Sequence, residues 1–263
     1  MPLIDMSTLL SRFAKAVLPD STVRTLKAAA RQHREEQARR ERLRRFGRDA
    51  VMTLPVRSFS ELFTVDPHGG VVVPAARIDA MDSWELPLAE LMVLAGVVQA
   101  LRPQQIFEIG TYTGASTLLL ALNAPAEAEI TTLDLDPATR DAYFRSIGET
   151  RQIRYELGNH FRDGPWAGRI HQRLGDARNF DYAPYEARMD LVYVDASHDY
   201  SQVRHDSLSA MRMLRPGGVV VWDDYKPVSI GVIRALQEIA LEHPLYHIEG
   251  TRLATYRKAP ENR

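Results

Sequence analysis

The chain of 263 residues contains no cysteine. That excludes disulfides, thiolate metal sites and cysteine nucleophiles, and it fits a reducing compartment. Also missing is any apolar run near the ~20 residues that cross a bilayer. The opening stretch, MPLIDMSTLLSRFAKAV, carries Asp5 early and no long apolar core. A secretory signal does not look like that, so the cytoplasm is the expected compartment. Net charge is nearly absent at −1, but it is unevenly spread. Residues 1–50 hold twelve Lys or Arg against six Asp or Glu, which leaves the remainder acidic. RRERLRRF within that basic stretch lacks the interleaved aromatics that nucleic-acid stacking uses, so a nucleic-acid partner is not expected.

What is present is ordinary for a globular α/β protein: 45% hydrophobic and 25% charged residues, enough for one large domain with an appendage. Residues 7–18 place Leu9, Leu10, Phe13, Ala14, Val17 and Leu18 on one helical stripe. Pro19 and Asp20 break it, and Ser21 can cap a second, largely polar helix over about 22–46. The expected division is therefore a helical extension, 1–50, and a main domain, 51–263. A long polar helix suits a homodimer or larger homo-oligomer.

Residues 50–83 read as irregular, punctuated by Pro55, Pro67, Gly69, Gly70 and Pro74. A helix follows over about 86–101, with Leu88, Leu91, Leu94 and Val98 on its apolar face. Strands are then expected at 105–109, 129–133, 170–174, 189–194 and 218–222, with two more near 245–249 and 252–257. Helices are expected at 115–123, 137–147 and 201–214. Alternation of this kind implies a doubly wound, mainly parallel sheet with helices on both faces.

The most informative stretch is FEIGTYTGAST, Phe107 to Thr117. A short apolar strand ends near Glu108, a glycine turn follows, and a helix begins. The turn is GxxxG rather than GxGxxG, and its missing third glycine argues against a nicotinamide dinucleotide. The helix start favours a carboxylate, and Glu108 suits an ammonium, so an amino-acid headgroup fits better than a pyrophosphate. Asp134, at the tip of the next strand, stands where a ribose diol would be gripped. Asp136-Pro137 reads as the start of a helix. Asp176, in Gly175-Asp176-Ala177, is placed to accept from an exocyclic amine or to cap a turn.

Two further strands end in acids. Asp195 closes LVYVD, and Asp223 and Asp224 close VVVWDD. Ligands of open parallel sheets bind outside the carboxyl ends of the strands. Three carboxylates gathered there repel one another unless protons or a cation intervene, and all-oxygen donors suit Mg²⁺. His198, three residues past Asp195, can take a proton from a hydroxyl. Tyr200 and Tyr225 are candidates for the acceptor pocket, and His205 lies near the same loop. The pocket itself is expected from 50–85, 155–168 and 225–232, with Trp84, Trp166 and Trp222 lining it or packing.

The order FEIGTYTGAS, LDLDP, GDA, DLVYVDASHDY and LRPGGVVVWDDY resembles the class I S-adenosylmethionine-dependent methyltransferases over about residues 86–258. Within that class it is similar to the small bacterial metal-dependent O-methyltransferases of sugars, macrolides and catechol-like hydroxyls. The resemblance implies a Rossmann-like sheet of seven strands with the last antiparallel. It implies a cofactor pocket of Glu108, Gly110, Thr111, Gly114, Ser116, Asp134, Leu135, Asp176, Ala177 and Asp195. It also implies a metal held by Asp195, Asp223 and Asp224, with His198 and Asp195 as the catalytic pair. A small-molecule or glycan hydroxyl is the implied acceptor. Nucleic-acid or N-methylation on the same fold, and nicotinamide-dependent redox chemistry, are the alternatives.

Overall fold

The computed structural model describes residues 51–64, 66, 68–74, 87–146, 148 and 155–260. The helical extension expected over 1–50 and Trp84 lie outside the described residues. Among the described residues the strands form one sheet of eight. They are β1 (Val56–Arg57), β2 (Gln105–Ile109), β3 (Glu129–Asp134), β4 (Ile170–Leu174), β5 (Met189–Val194), β6 (Leu214–Trp222), β7 (Tyr246–Ile248) and β8 (Ala254–Arg257). Their spatial order is β1-β7-β8-β6-β5-β2-β3-β4. Every pairing is parallel except those of β8, which runs against both β6 and β7.

All seven expected strands are present, with the last antiparallel. The eighth, β1, is two residues long. Such a segment carries no period of its own, so the 50–83 stretch hides it; its place is set by backbone bonds such as His247 N–H to Pro55 O, 2.9 Å.

Among the described residues six α-helices accompany the sheet: α1 (Phe59–Leu62), α2 (Leu88–Leu101), α3 (Ala115–Asn123), α4 (Pro137–Ser146), α5 (Tyr200–Met213) and α6 (Ile230–Ile239). α6 was not expected from the sequence; residues 225–232 read there as pocket wall, whereas Ile230 already begins this helix. α2 differs in one detail. Leu88, expected on its apolar face, is exposed, while Leu91, Leu94 and Val98 are buried.

The strands alternate their side chains between two apolar layers. Phe107, Ile109, Val192, Val194, Val220 and Trp222 pack with α5 and α6. Ile106, Leu191, Tyr193, Val219 and Val221 pack with α2 and α3. β5 is buried along its whole length, as a central parallel strand covered on both faces must be. Each fully buried large side chain stabilises by about 1.5–3 kcal/mol, so this centre holds the strand ends where they are.

After β2 the chain winds outward to β3 and β4, then returns to β5 and β6 on the other side. The switch point falls between β2 and β5, where such sheets open a crevice at their carboxyl edge.

Candidate active site

Three turns meet at that crevice, each tied to the next by one extra rung beyond the strands. Gly110 N–H bonds Leu133 O at 2.8 Å, Asp195 N–H bonds Ile109 O at 2.8 Å, and Asp223 N–H bonds Val194 O at 3.0 Å. The glycine turn, Asp134, Asp195 and the Asp223–Asp224 pair therefore share one edge, as the sequence suggested.

Gly110 has φ +105°, and a Cβ there would sit 2.1 Å from the Asp195 carbonyl oxygen. The glycine is thus required by the neighbouring loop of the protein as well as by backbone conformation. Gly114, at φ 82°, is the N-cap of α3. Segment 158–160 walls the turn, through Gly158 N–H to Tyr112 O at 2.9 Å and His160 N–H to Thr113 O at 3.0 Å.

Asp134 is only half-buried. One carboxylate oxygen accepts from Thr111 N–H (3.0 Å) and Tyr112 N–H (2.7 Å), and the other from Leu135 N–H (2.7 Å). These bonds shape the turn and use three of the carboxylate's roughly four acceptor sites. Burial pushes its pKa up, and the three amides pull it back.

Glu108 lies wholly beneath the turn rather than at its rim. Thr132 Oγ1 donates to it at 2.6 Å, and Thr117 Oγ1 donates as well. Ser116, on the first turn of α3, is nearly buried. Burial raises the Glu108 carboxyl to about 7, with the Ser116, Thr117 and Thr132 hydroxyls opposing. Thr111 closes the net through its hydroxyl, 2.6 Å from that of Thr132.

Asp176 is exposed in a turn and accepts from Arg178 N–H at 2.9 Å. It stands near Asp134, whose carbonyl takes Gly175 N–H at 2.8 Å. Ala177 packs against the core. Asp136 caps α4, accepting from Ala138 and Thr139 N–H at 3.1 Å each, the structural role its Asp-Pro context indicated.

Asp195, Asp223 and Asp224 form one cluster, with one oxygen of each within 4.8 Å of the others. Neighbouring strand residues normally point to opposite faces. Asp224 escapes this because it takes φ 62°, and a left-handed turn at the strand end swings both acids to the same side. Such a conformation costs a non-glycine residue about 1 kcal/mol or more and marks functional sites. Burial and the two neighbouring carboxylates push Asp195 well above the usual carboxylate range. Burial and Asp224 raise Asp223 to about 6, against the pull of Arg252. Burial also opposes ionisation of Asp224, but His198, Lys226 and Arg252 hold it well below that range.

His198 reaches into this cluster through Nε2, which lies against Asp224 Oδ2. Its loop is clamped from below, because a Cβ on Gly231 of α6 would meet His198 O at 2.1 Å. Tyr193 also reaches the cluster, its hydroxyl donating to Asp195 Oδ2 at 3.3 Å.

Four further residues near the site have partners of their own. The Tyr225 hydroxyl accepts from Thr53 and Leu54 N–H, both at 3.0 Å, and the residue is fully buried. It is a staple, and the pocket role read for it is corrected accordingly. Trp222 is buried and donates to Ser207 Oγ at 2.9 Å. Tyr200 donates to Glu238. His205 stands 3.3 Å from Asp206 Oδ1, outside the three-carboxylate cluster.

Arg252 and Lys226 were missed from the sequence. Arg252 forks onto Asp223, Nε to Oδ1 at 2.8 Å and Nη2 to Oδ2 at 2.9 Å, and its Nε lies 3.4 Å from Asp224 Oδ1. Lys226 pairs with the same Asp224 oxygen. Lys226 sits two residues beyond Asp224, a proximity that was legible. Nothing local marks Arg252, in the loop between β7 and β8.

The donor set fits a hard divalent cation: three carboxylate oxygens, two of them on a strained turn that aims them together. The half-buried Asp134 carboxylate and the N-terminus of α3 stand at the same edge of the sheet.

The sheet is doubly wound with its last strand reversed, and the crevice lies at its switch point. Residues 107–225 match a family described as a methyltransferase domain. That segment is similar to the class I S-adenosylmethionine-dependent methyltransferases. Similar curated proteins include the caffeoyl-CoA O-methyltransferases of Stellaria longipes and Zinnia elegans. The first is 26% identical over 138 residues, 52% of each chain. The second is 27% identical over 151 residues, 56% of this chain and 57% of the relative. The chain thus spans about half the length of the curated relatives it matches. Among solved structures, the S-adenosylhomocysteine-bound methyltransferase PaMTH1 of Podospora anserina shares the fold. Its TM-score is 0.52 at 19% identity, over 72% of this chain and 89% of that one.

Proposed function

We propose that this protein transfers the methyl group of S-adenosylmethionine to a hydroxyl of a small molecule or glycan, assisted by a divalent cation such as Mg²⁺. The observation that carries the reading is the shared edge. The glycine turn and Asp134 stand on one side of Asp195, and Asp223 and Asp224 on the other. The names of the curated relatives favour a hydroxyl acceptor.

Bound S-adenosylmethionine supplies an electrophilic methyl group on a good leaving group. A cation at the acidic cluster supplies Lewis acidity toward an acceptor oxygen. Asp134 would hold the ribose hydroxyls, and Glu108, through its threonine net, the amino-acid end. Gly110, Thr111, Gly114, Ser116 and Leu135 would shape the cofactor pocket, with Asp176 and Ala177 at its base end. Asp195, between the two subsites, would fix their distance, which is where most of the rate gain of a direct displacement comes from. His198 would remove the acceptor proton. Its Nε2 lies against Asp224 Oδ2 at the acidic cluster. The cytoplasm is the compartment this reading assigns. Among the described residues no helix is long and apolar enough to cross a membrane.

The test is calorimetric titration with S-adenosylhomocysteine alongside a methyl-transfer assay on catechol-type and sugar hydroxyls. Asp134→Ala should weaken S-adenosylhomocysteine binding by tenfold or more. A chelator should abolish turnover and leave that binding intact. Full turnover in chelator would remove the cation from the mechanism.

A further inference from the structure

We infer that Arg252 is the resident counter-cation of the carboxylate cluster and that it sets how tightly this chain takes a divalent ion. The inference rests on the proposed cation site and adds a residue to it that no strand-end motif contains. Three features argue for it. The first is geometry. Arg252 engages both oxygens of Asp223 at 2.8 and 2.9 Å and stands 3.4 Å from Asp224. Planar, two-pronged contact of this kind is the strongest that an arginine makes with a carboxylate.

The second is burial. The Arg252 side chain is 16% exposed and that of Asp223 only 2%. A carboxylate so far from water needs a positive partner, and leaving it unpaired is strongly unfavourable. The third is anchorage. Tyr225 N–H bonds the Arg252 carbonyl at 2.8 Å, so the β7–β8 loop is fastened to the residue just after Asp224. The guanidinium cannot drift away without breaking that bond or swinging its whole side chain.

The remaining polar groups at the cluster divide differently. Lys226 and His198 both address Asp224, and Tyr193 addresses Asp195. Arg252 alone among the described residues spans Asp223 and Asp224. A divalent ion entering between the three aspartates meets a fixed positive charge on the same carboxylates, and it must share Asp223 with the fork. Arg252 therefore lowers cation affinity while keeping the cluster assembled before the ion arrives.

Mn²⁺ binding to the full chain, followed by electron paramagnetic resonance and calorimetry, tests this with Arg252→Gln and Arg252→Lys. S-adenosylhomocysteine binding verifies that each variant is folded. Arg252→Gln should bind Mn²⁺ at least tenfold more tightly than the parent and melt at lower temperature in chelator. Arg252→Lys, which keeps the charge, should stay within about threefold of the parent. Equal or weaker Mn²⁺ binding by Arg252→Gln overturns the role of Arg252. If the parent binds Mn²⁺ and the variant only matches it, the cation site survives and this inference alone falls. If none of the three chains binds Mn²⁺, the cation site falls, and the inference with it.

Discussion

Glu108 shows how much one residue's surroundings decide. Its place in FEIG implied contact with a ligand, yet the carboxyl is buried under the turn and raised to about 7 from an ordinary 4.5. The folded protein therefore holds the Glu108 proton more tightly than the unfolded chain does. Stability from this group is full below about pH 4.5 and is lost as pH rises toward 7. The ceiling on that loss is about 3 kcal/mol. Glu108→Gln, which cannot ionise, should remove it. Urea unfolding at pH 5 and pH 8 should show the variant gaining on the parent by about 1–3 kcal/mol at the higher pH. An identical pH dependence in both would refute the assignment. The acidic residue at a strand tip was legible in the sequence. Its threonine partners were not, because Thr132 lies 24 positions away.

At the level of elements, backbone bonds place the short edge strand β1, and side chains hold the segment that leads into it. Tyr225, three residues past the end of β6, takes the Thr53 and Leu54 amides, and α6 contributes Gln237 to Val51 O. Tyr225→Phe strands the buried Leu54 amide and should cost about 1–3 kcal/mol, read as a shift in denaturant midpoint at unchanged slope. A cost below about 0.5 kcal/mol would show that the 53–54 segment finds other partners. The long elements followed from periodicity, and their ends fell within a few residues of expectation. β1 and α6 did not follow. The first is too short to show a period, and the second sits in a stretch whose proximity to the acidic strand end drew attention to binding rather than to its helical spacing. Leu88 failed for a related reason: it stands at the first residue of α2, where the helix has not yet turned fully onto the core.

For the whole molecule, the proposed cation would join the ends of β5 and β6 and so couple two central strands. A ligand bound by the folded state alone stabilises it by mass action, about 2.7 kcal/mol at a hundredfold excess over its dissociation constant. Mg²⁺ should accordingly raise the melting temperature in a saturable way, and a chelator should reverse the gain. A melting temperature indifferent to Mg²⁺ and Mn²⁺ would speak against the site. Alternating strands and helices, the glycine turn and the acids at strand ends were all written in local sequence, because strand periods, glycine conformations and strand termini are short-range properties. Only the tertiary structure brought Arg252 onto Asp223 across 29 positions and Tyr225 onto Thr53 across 172. Such contacts carry no local signature, since they depend on which strands become neighbours, and so the counter-charge of the site belongs to the fold.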